Sequence, residues 1–325
     1  MGTRDSLSER IAQTQLDIVA QAFGNAPFTA AQARAAGLSR GRLNRLLEKD
    51  LLEAVLYGVY KRRGAPLDLA GRARAVALVL PPGSAVVRRT AAWLLGVDAR
   101  PPDERGVPME VECAVLLGTT PIRRPHIRCY QTEFEPSDLM EHLGLATTNP
   151  TRTSADLLRW EGRPMGFAAT DALAAAGLIE PVEVLDLLDR WPGHRFVHQA
   201  RQLASWLEPL TESFGESWLR LRILEAGFPR PTAQIPIIDH HGRCVYRLDL
   251  GWPDLRIGIE YDGDEFHSGP AALRADQFRR RRLEADFGWR VTGVGRGEVL
   301  GRGMELERGI GELLGLAPAI IRRTW

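Results

Sequence analysis

Apolar positions along the first part of the chain follow a helical spacing and then switch to strand alternation. Ile11, Leu16, Ile18, Val19 and Phe23 recur at the intervals of an amphipathic helix that closes at Gly24-Asn25. Thr29 and Gln32 fit a capping box that starts a second short helix. Gly37 can end that helix in a left-handed turn, and Ser39 can cap a third with Leu43, Leu46 and Leu47 on its buried stripe. Two short helices joined by a tight glycine turn predict a helix-turn-helix. Leu52 to Tyr60 then alternates apolar positions on two faces around Gly58, which predicts a small strand pair or wing.

The middle of the chain, about 66–205, mixes helical stretches with strand-like runs at Met109–Leu117 and His126–Gln131. Val86–Leu95 reads as a helix, and Gly144–Pro150 as a strand entering a loop that leads to a helix beginning near Ser154. Beyond it, a helix from about Ser213 carries Glu216, Trp218, Leu219, Leu221, Ile223 and Leu224 and stops at Gly227-Phe228-Pro229. Strands follow at Gln234–Ile238, Cys244–Leu250 and Arg256–Tyr261, then a charged helix at Ala271–Asp286 and a strand at Trp289–Val294. The expected fold class is therefore multidomain α+β: a winged helix-turn-helix at 1–65, a mainly helical, mixed α/β region at 66–205, and an αβββαβ core within 206–325.

Composition adds bounds to this picture. With 325 residues, 44% hydrophobic and 26% charged, the chain is long enough for two or three packed domains and too apolar to remain disordered. No run of about 18 apolar residues is present to span a membrane. Cys113, Cys129 and Cys244 are odd in number and not spaced as metal ligands, so neither a disulfide framework nor a zinc site is expected. The first ten residues contain no apolar signal core, and a reducing cytoplasm is the expected compartment.

Formal charge is only +1, but the distribution is uneven. Of 42 basic residues only Lys49 and Lys61 are lysines. Arginine suits phosphate, although a GC-rich genome produces the same bias. Residues 1–65 hold ten Lys/Arg against six Asp/Glu. Arg40, Arg42 and Arg45 fall on the solvent side of the third helix, and the wing ends Lys61-Arg62-Arg63. That arrangement offers a major-groove probe with phosphate contacts to double-stranded DNA; the alternative is a solvated face on a protein-interaction module. His126 beside Cys129 reads as packing and surface rather than a metal site.

The N-terminal segment resembles the winged-helix domain of the abortive-infection AbiEi antitoxins. The residues that carry the likeness are Thr29, Ala33, Gly37-Leu38-Ser39-Arg40, Leu43, Leu47 and Gly58-Val59-Tyr60, and Gly144–Leu158 is similar to the helical part that follows the wing. Covering about residues 8–180, the resemblance implies operator-type DNA binding with autoregulation, and it accommodates a homodimer and a partner toxin or defence protein.

In the C-terminal segment, Glu260 stands in an otherwise apolar strand, where a carboxylate is costly unless a metal or partner satisfies it. A tight turn centred on Pro253-Asp254 would place Asp249 opposite Gly258, with Glu260 diagonal to it at about 7–8 Å. Asp249, Gly258, Glu260 and Asp262 would then share one face, and Gly258 would leave space for an ion. Hard oxygen ligands with room for water suit magnesium, which can activate water and neutralise charge on a phosphodiester. The alternative is a pair of acids salt-bridged to Arg247 and Arg256.

This segment also resembles the PD-(D/E)xK nuclease superfamily, and within it the domains allied with very-short-patch-repair endonucleases. The motif residues are Glu216, Asp249, Glu260-Tyr261-Asp262-Gly263, His267 and Arg279-Arg280-Arg281-Arg282, with Gly288-Trp289-Arg290-Val291 closing the core. The resemblance implies a restriction-endonuclease-like core and a metal-dependent DNA endonuclease that uses Mg²⁺, with Mn²⁺ as substitute. Asp249 and Glu260 would bind the metal with support from Glu216, His267 would act as general base or leaving-group acid, and Arg280 would clamp phosphate. Asp262 occupies the position where the superfamily usually has lysine. That departure sustains a second reading, a non-catalytic AbiEi-like regulator or antitoxin whose nuclease fold only grips nucleic acid or a partner.

Overall fold

The computed structural model describes residues 2–263, 270–323 and 325, with side chains described for 9–263, 278–323 and 325. It is a mixed α/β chain of two compact units, Met1–Thr153 and Ser154–Trp325.

The first unit opens with α1 (Gly2–Phe23), β1 (Phe28–Thr29), α2 (Ala30–Ala35), α3 (Arg40–Glu48), β2 (Leu52–Leu56) and β3 (Val59–Arg62). The strands pair antiparallel in the order β1-β3-β2. Local chemistry sets the helix starts. Thr29 and Gln32 make the reciprocal capping box, and the Ser39 hydroxyl accepts from the Arg42 amide. Gly37 at φ +91° makes the left-handed turn between α2 and α3. The buried stripe of α1 is Ala12, Gln15 and Val19, with Leu16 and Phe23 beside it, whereas Ile11 is 41% exposed. That is a rotation of the expected stripe by about one residue, fixed by Phe23 stacking on Phe28 at 4.4 Å.

The unit continues through α4 (Leu69–Ala77), β4 (Ala85–Val86), α5 (Arg88–Leu94), β5 (Val111–Leu116), β6 (Ile127–Thr132), β7 (Leu139–His142) and β8 (Leu145–Thr148), a five-stranded mixed sheet ordered β6-β5-β4-β8-β7. The stretch expected as one helix from Val86 divides instead. Its β-branched start pairs into the sheet against Cys113 and Thr147, and the helix begins only after extended Val87. Leu56 and Val59 of the β2–β3 hairpin belong to the same core as Val86, Trp93 and Val111, so the N-terminal hairpin is buried against the five-stranded sheet.

The division between units falls inside α6 (Pro150–Trp160). This helix starts one turn earlier than the expected Ser154, because Pro150 suits the first helical position. The second unit contains α7 (Arg163–Ala175), α8 (Pro181–Asp189), α9 (Val197–Ala204) and α10 (Phe214–Glu225). After them come β9 (Thr232–Ile238), β10 (Cys244–Trp252), β11 (Ile257–Asp262), α11 (Pro270–Phe287), β12 (Arg290–Gly295), α12 (Arg296–Leu300) and α13 (Glu305–Leu314). The sheet runs β12-β11-β10-β9, with β11 and β12 parallel and the other pairs antiparallel.

Helix α10 is buried on every side from Gly215 to Leu224, and its capping residue is Ser213. Its two buried arginines are each paired: Arg220 with Asp171 at 2.5 Å and Arg222 with Glu307 at 2.6 Å. Trp218, Leu219 and Ile223 of α10 pack against Leu250, Ile257 and Ile259 of the sheet. Leu283 of α11 packs with Ile235, Ile237 and Leu248 in a separate cluster. Among the described residues no helix is long and apolar enough to cross a membrane.

Candidate functional site

Two regions carry the residues singled out by their chemistry. In the first, α3 buries Leu43 and Leu46 and exposes Arg40, Arg42 and Arg45. The basic end of the hairpin differs from expectation. Lys61 is 7% exposed, paired with Glu53 and hydrogen-bonded to the Ala65 carbonyl, because it stands opposite Glu53 in the β2–β3 register. Arg63 is paired with Asp50 and with Glu53 at 2.7 Å, and Arg62 is half-buried. Half of the exposed arginines described in this segment, Arg40, Arg42 and Arg45, therefore lie on α3. At the hairpin bend Tyr57 stacks on His126 with ring centroids 3.6 Å apart.

The second region is the β10–β11 hairpin. Its observed register pairs Leu250 with Ile259, Gly251 with Gly258 and Trp252 with Ile257. The turn is a 3₁₀ segment, Pro253–Leu255, followed by Arg256 at φ +50°, and is longer than the tight turn expected. The register moves by two residues, so Gly258 faces Gly251 rather than Asp249. The space beside Gly258 is filled as well, since a Cβ there would meet Leu248 at 2.8 Å and Val291 at 3.3 Å. Asp249 and Glu260 lie just beyond the last paired position, Leu250 with Ile259.

Asp249 does not follow the simple alternation either. Leu248 packs with Leu283 in one cluster and Leu250 with Leu219 in the other, so the pleat reverses at Asp249. Its partner position on β9, Gln234, sits at φ +53° between Ile235 and Ala233, which divide between the same two clusters. On the other side the β10–β11 pairing ends at Leu250 and Ile259, and the Asp249 carboxylate takes the place of a ladder carbonyl by accepting the Tyr261 amide at 2.8 Å. Burial pushes its pKa up to about 7, with Glu216 and Glu260 adding repulsion against the lowering effect of the Tyr261 amide.

Glu216 is positioned by close packing of the α10 N-terminus on β11: a Cβ on Gly215 would fall 2.0 Å from the Tyr261 ring. One carboxylate oxygen of Glu216 accepts from Ser213, and the other from the Glu212 amide and from Gln234. Glu260 is 5% exposed and takes both guanidinium arms of Arg279, at 2.8 and 2.5 Å. Burial raises its pKa and Arg279 opposes that rise. Asp262 accepts from Arg280 at 3.1 Å. In the sequence Arg279 is only one of a run; in the fold it is the ion-pair partner of Glu260, whereas Arg247 pairs with Glu212 and Arg256 donates to the Phe287 carbonyl. His267 lies outside the described residues. Among the described residues, no three His, Cys, Asp or Glu side chains group closely enough to hold a metal ion.

Residues 84–205 match the AbiEi antitoxin C-terminal domain family. The match lies on the five-stranded sheet and the helices that follow it, whereas the motifs that suggest the likeness in the sequence are mostly N-terminal to it. The chain is also similar to two uncharacterized proteins of Mycobacterium tuberculosis, MT2308 of strain CDC 1551 and Rv2248 of strain H37Rv. Each is 28% identical over 258 residues, which is 79% of this chain and 90% of the relative.

Chemically, the second region sets Glu216 and Glu260 near enough to Asp249 to add repulsion to the rise that burial gives its pKa, while Glu260 stays paired with Arg279.

Proposed function

We propose that this chain is a DNA-binding regulator of the AbiEi antitoxin type, with a winged helix at its N-terminus and α3 as the recognition helix. The observation that carries this reading is the exposure of Arg40, Arg42 and Arg45 on α3, opposite its buried leucines. Family similarity at 84–205 supports it. Phosphate contacts release condensed counterions, so binding of double-stranded DNA weakens as salt rises. Arg62 and the three α3 arginines are the proposed contacts. The test is fluorescence anisotropy with duplex DNA from upstream of the gene at two salt concentrations. A salt-independent response, or equal binding by wild type and an Arg42→Ala/Arg45→Ala double variant, overturns the reading.

A second reading, a magnesium-dependent endonuclease with a PD-(D/E)xK-like core, draws support from Asp249. A carboxyl group whose pKa is raised by burial, and further by two neighbouring carboxylates, is relieved by a cation. Asp249 and Glu260 would hold the ion with Glu216 behind them, and the ion would activate water and offset phosphodiester charge. Arg280, paired with Asp262, would release it to clamp phosphate, and His267 would move the proton. Plasmid nicking in Mg²⁺ separates the readings. Cleavage that is lost in Asp249→Ala and Glu260→Ala establishes an enzyme; no cleavage by the wild type, or equal cleavage by all three, leaves the regulator.

A further inference from the structure

We propose that Cys113 and Cys129 are a peroxide-sensitive dithiol that closes to a reversible intramolecular disulfide. The two are direct partners in the parallel β5–β6 register. Partner side chains in a sheet point to the same face, and neighbouring strands lie about 4.7–4.9 Å apart, inside the Cα separation of about 4.4–6.8 Å that a disulfide bridges. Both are free thiols, and they stand close enough to interact: burial raises the Cys113 pKa, and Cys129 adds to that rise by charge and by hydrogen bonding.

Their environments differ in a way that orders the chemistry. Cys113 is 0% exposed, and burial above all pushes its pKa up to about 12, so it is shielded from solvent oxidants and gives up its proton only as it attacks a neighbouring oxidised sulfur. Cys129 is half-exposed on the edge strand of the sheet and lines an open cavity of about 600 Å³ together with Arg123, Arg124 and Arg128. A peroxide reaching that cavity meets Cys129 first. The Cys129 sulfur attacks one peroxide oxygen, the O–O bond breaks, and the second oxygen leaves as water or alcohol with the thiol proton. The resulting sulfenic acid is attacked by the Cys113 sulfur; its hydroxyl leaves with the Cys113 proton as water, and the S–S bond forms. The two sulfurs together lose two electrons, which reduce the peroxide. A thiol reductant restores both cysteines.

The experiment uses the full chain carrying Cys244→Ser, so that the exposed third cysteine cannot exchange. Reduced protein is treated with hydrogen peroxide and quenched in acid. Free thiols are alkylated with iodoacetamide under denaturing conditions, and the sample is then reduced, labelled with N-ethylmaleimide and peptide-mapped. The expected result is loss of iodoacetamide labelling at both Cys113 and Cys129, with gain of maleimide at both and reversal by dithiothreitol. Sulfenic acid at Cys129, trapped with dimedone, should accumulate in a Cys113→Ser variant and not in its parent. Peroxide that leaves both thiols open to iodoacetamide, or that takes Cys129 to sulfinic acid with Cys113 still free, overturns the proposal. Equal dimedone trapping with and without Cys113 does so too.

Discussion

Arg279 grips Glu260 with both arms of its guanidinium, at 2.8 and 2.5 Å, and so supplies the positive charge that this buried carboxylate needs. Glu260 is 6% exposed at its side chain, while Arg279 is 36% exposed. The carboxylate is therefore the member that cannot return to water. Removing Arg279 leaves a buried charge unpaired. Arg279→Ala should lower stability by about 1–3 kcal/mol, a figure below that for a fully buried pair because the arginine is partly hydrated. It should also increase the thermal stabilisation conferred by Mg²⁺ or Mn²⁺ if Glu260 becomes free to bind them. Thermal melts with and without each ion measure both effects.

Asp249 gives stability a pH dependence of defined sign. Its folded pKa is raised to about 7 from an ordinary 3.8, so between those values the folded state holds a proton that the unfolded state has released. The contribution is full below about pH 4 and declines to nothing as pH rises toward about 7. Glu260 is shifted in the same direction. Asp249→Asn should remove the largest part of this slope, so the difference in melting temperature between variant and wild type should move in the variant's favour from pH 5 to pH 8. A constant difference across that range would contradict the assignment.

The α3 arginines and Lys61 should separate binding from folding. Arg42→Ala or Arg45→Ala should weaken DNA binding and reduce the slope of log K against log salt by about 1 for each phosphate that the variant no longer neutralises. Lys61→Ala should leave that slope unchanged and instead lower stability by about 1–2 kcal/mol, because Lys61 is buried against Glu53 and the Ala65 carbonyl. Salt-dependent anisotropy and chemical denaturation of the same variants check both halves.

The pair Arg220–Asp171 is 0% and 1% exposed at its side chains, with Asp171 also accepting the Glu208 amide at 2.9 Å. Asp171→Ala should cost about 3–5 kcal/mol by leaving the guanidinium uncompensated inside the second unit. Replacing both, as Asp171→Leu with Arg220→Met, should recover much of that stability. Urea denaturation of the two single variants and the double variant measures the coupling.

Much of the local structure is legible along the chain. The Thr29–Gln32 box, the Ser39 cap, the helix start near Ser213 and the αβββαβ order follow from interactions that span three or four residues or from apolar period, and these survive without knowledge of neighbours. Val86 departs from its helical reading because its β-branched side chain joins a sheet whose other strands come from far along the sequence. The hairpin register differs from expectation by two residues because a left-handed Arg256 lengthens the turn, and no local rule demands an arginine there.

The sequence by itself determined which residue types were available: carboxylates at Glu216, Asp249, Glu260 and Asp262, arginines in place of lysine, and helix caps that start the right elements. Only the tertiary structure decided their partners. It set Asp249 at the pleat reversal against the Tyr261 amide, gave Glu260 to Arg279, buried Lys61 against Glu53, and brought Cys113 beside Cys129. The reason is physical: capping and periodicity act over a few residues, whereas pKa, ion pairing and thiol proximity depend on distances of a few ångströms between segments far apart in the chain.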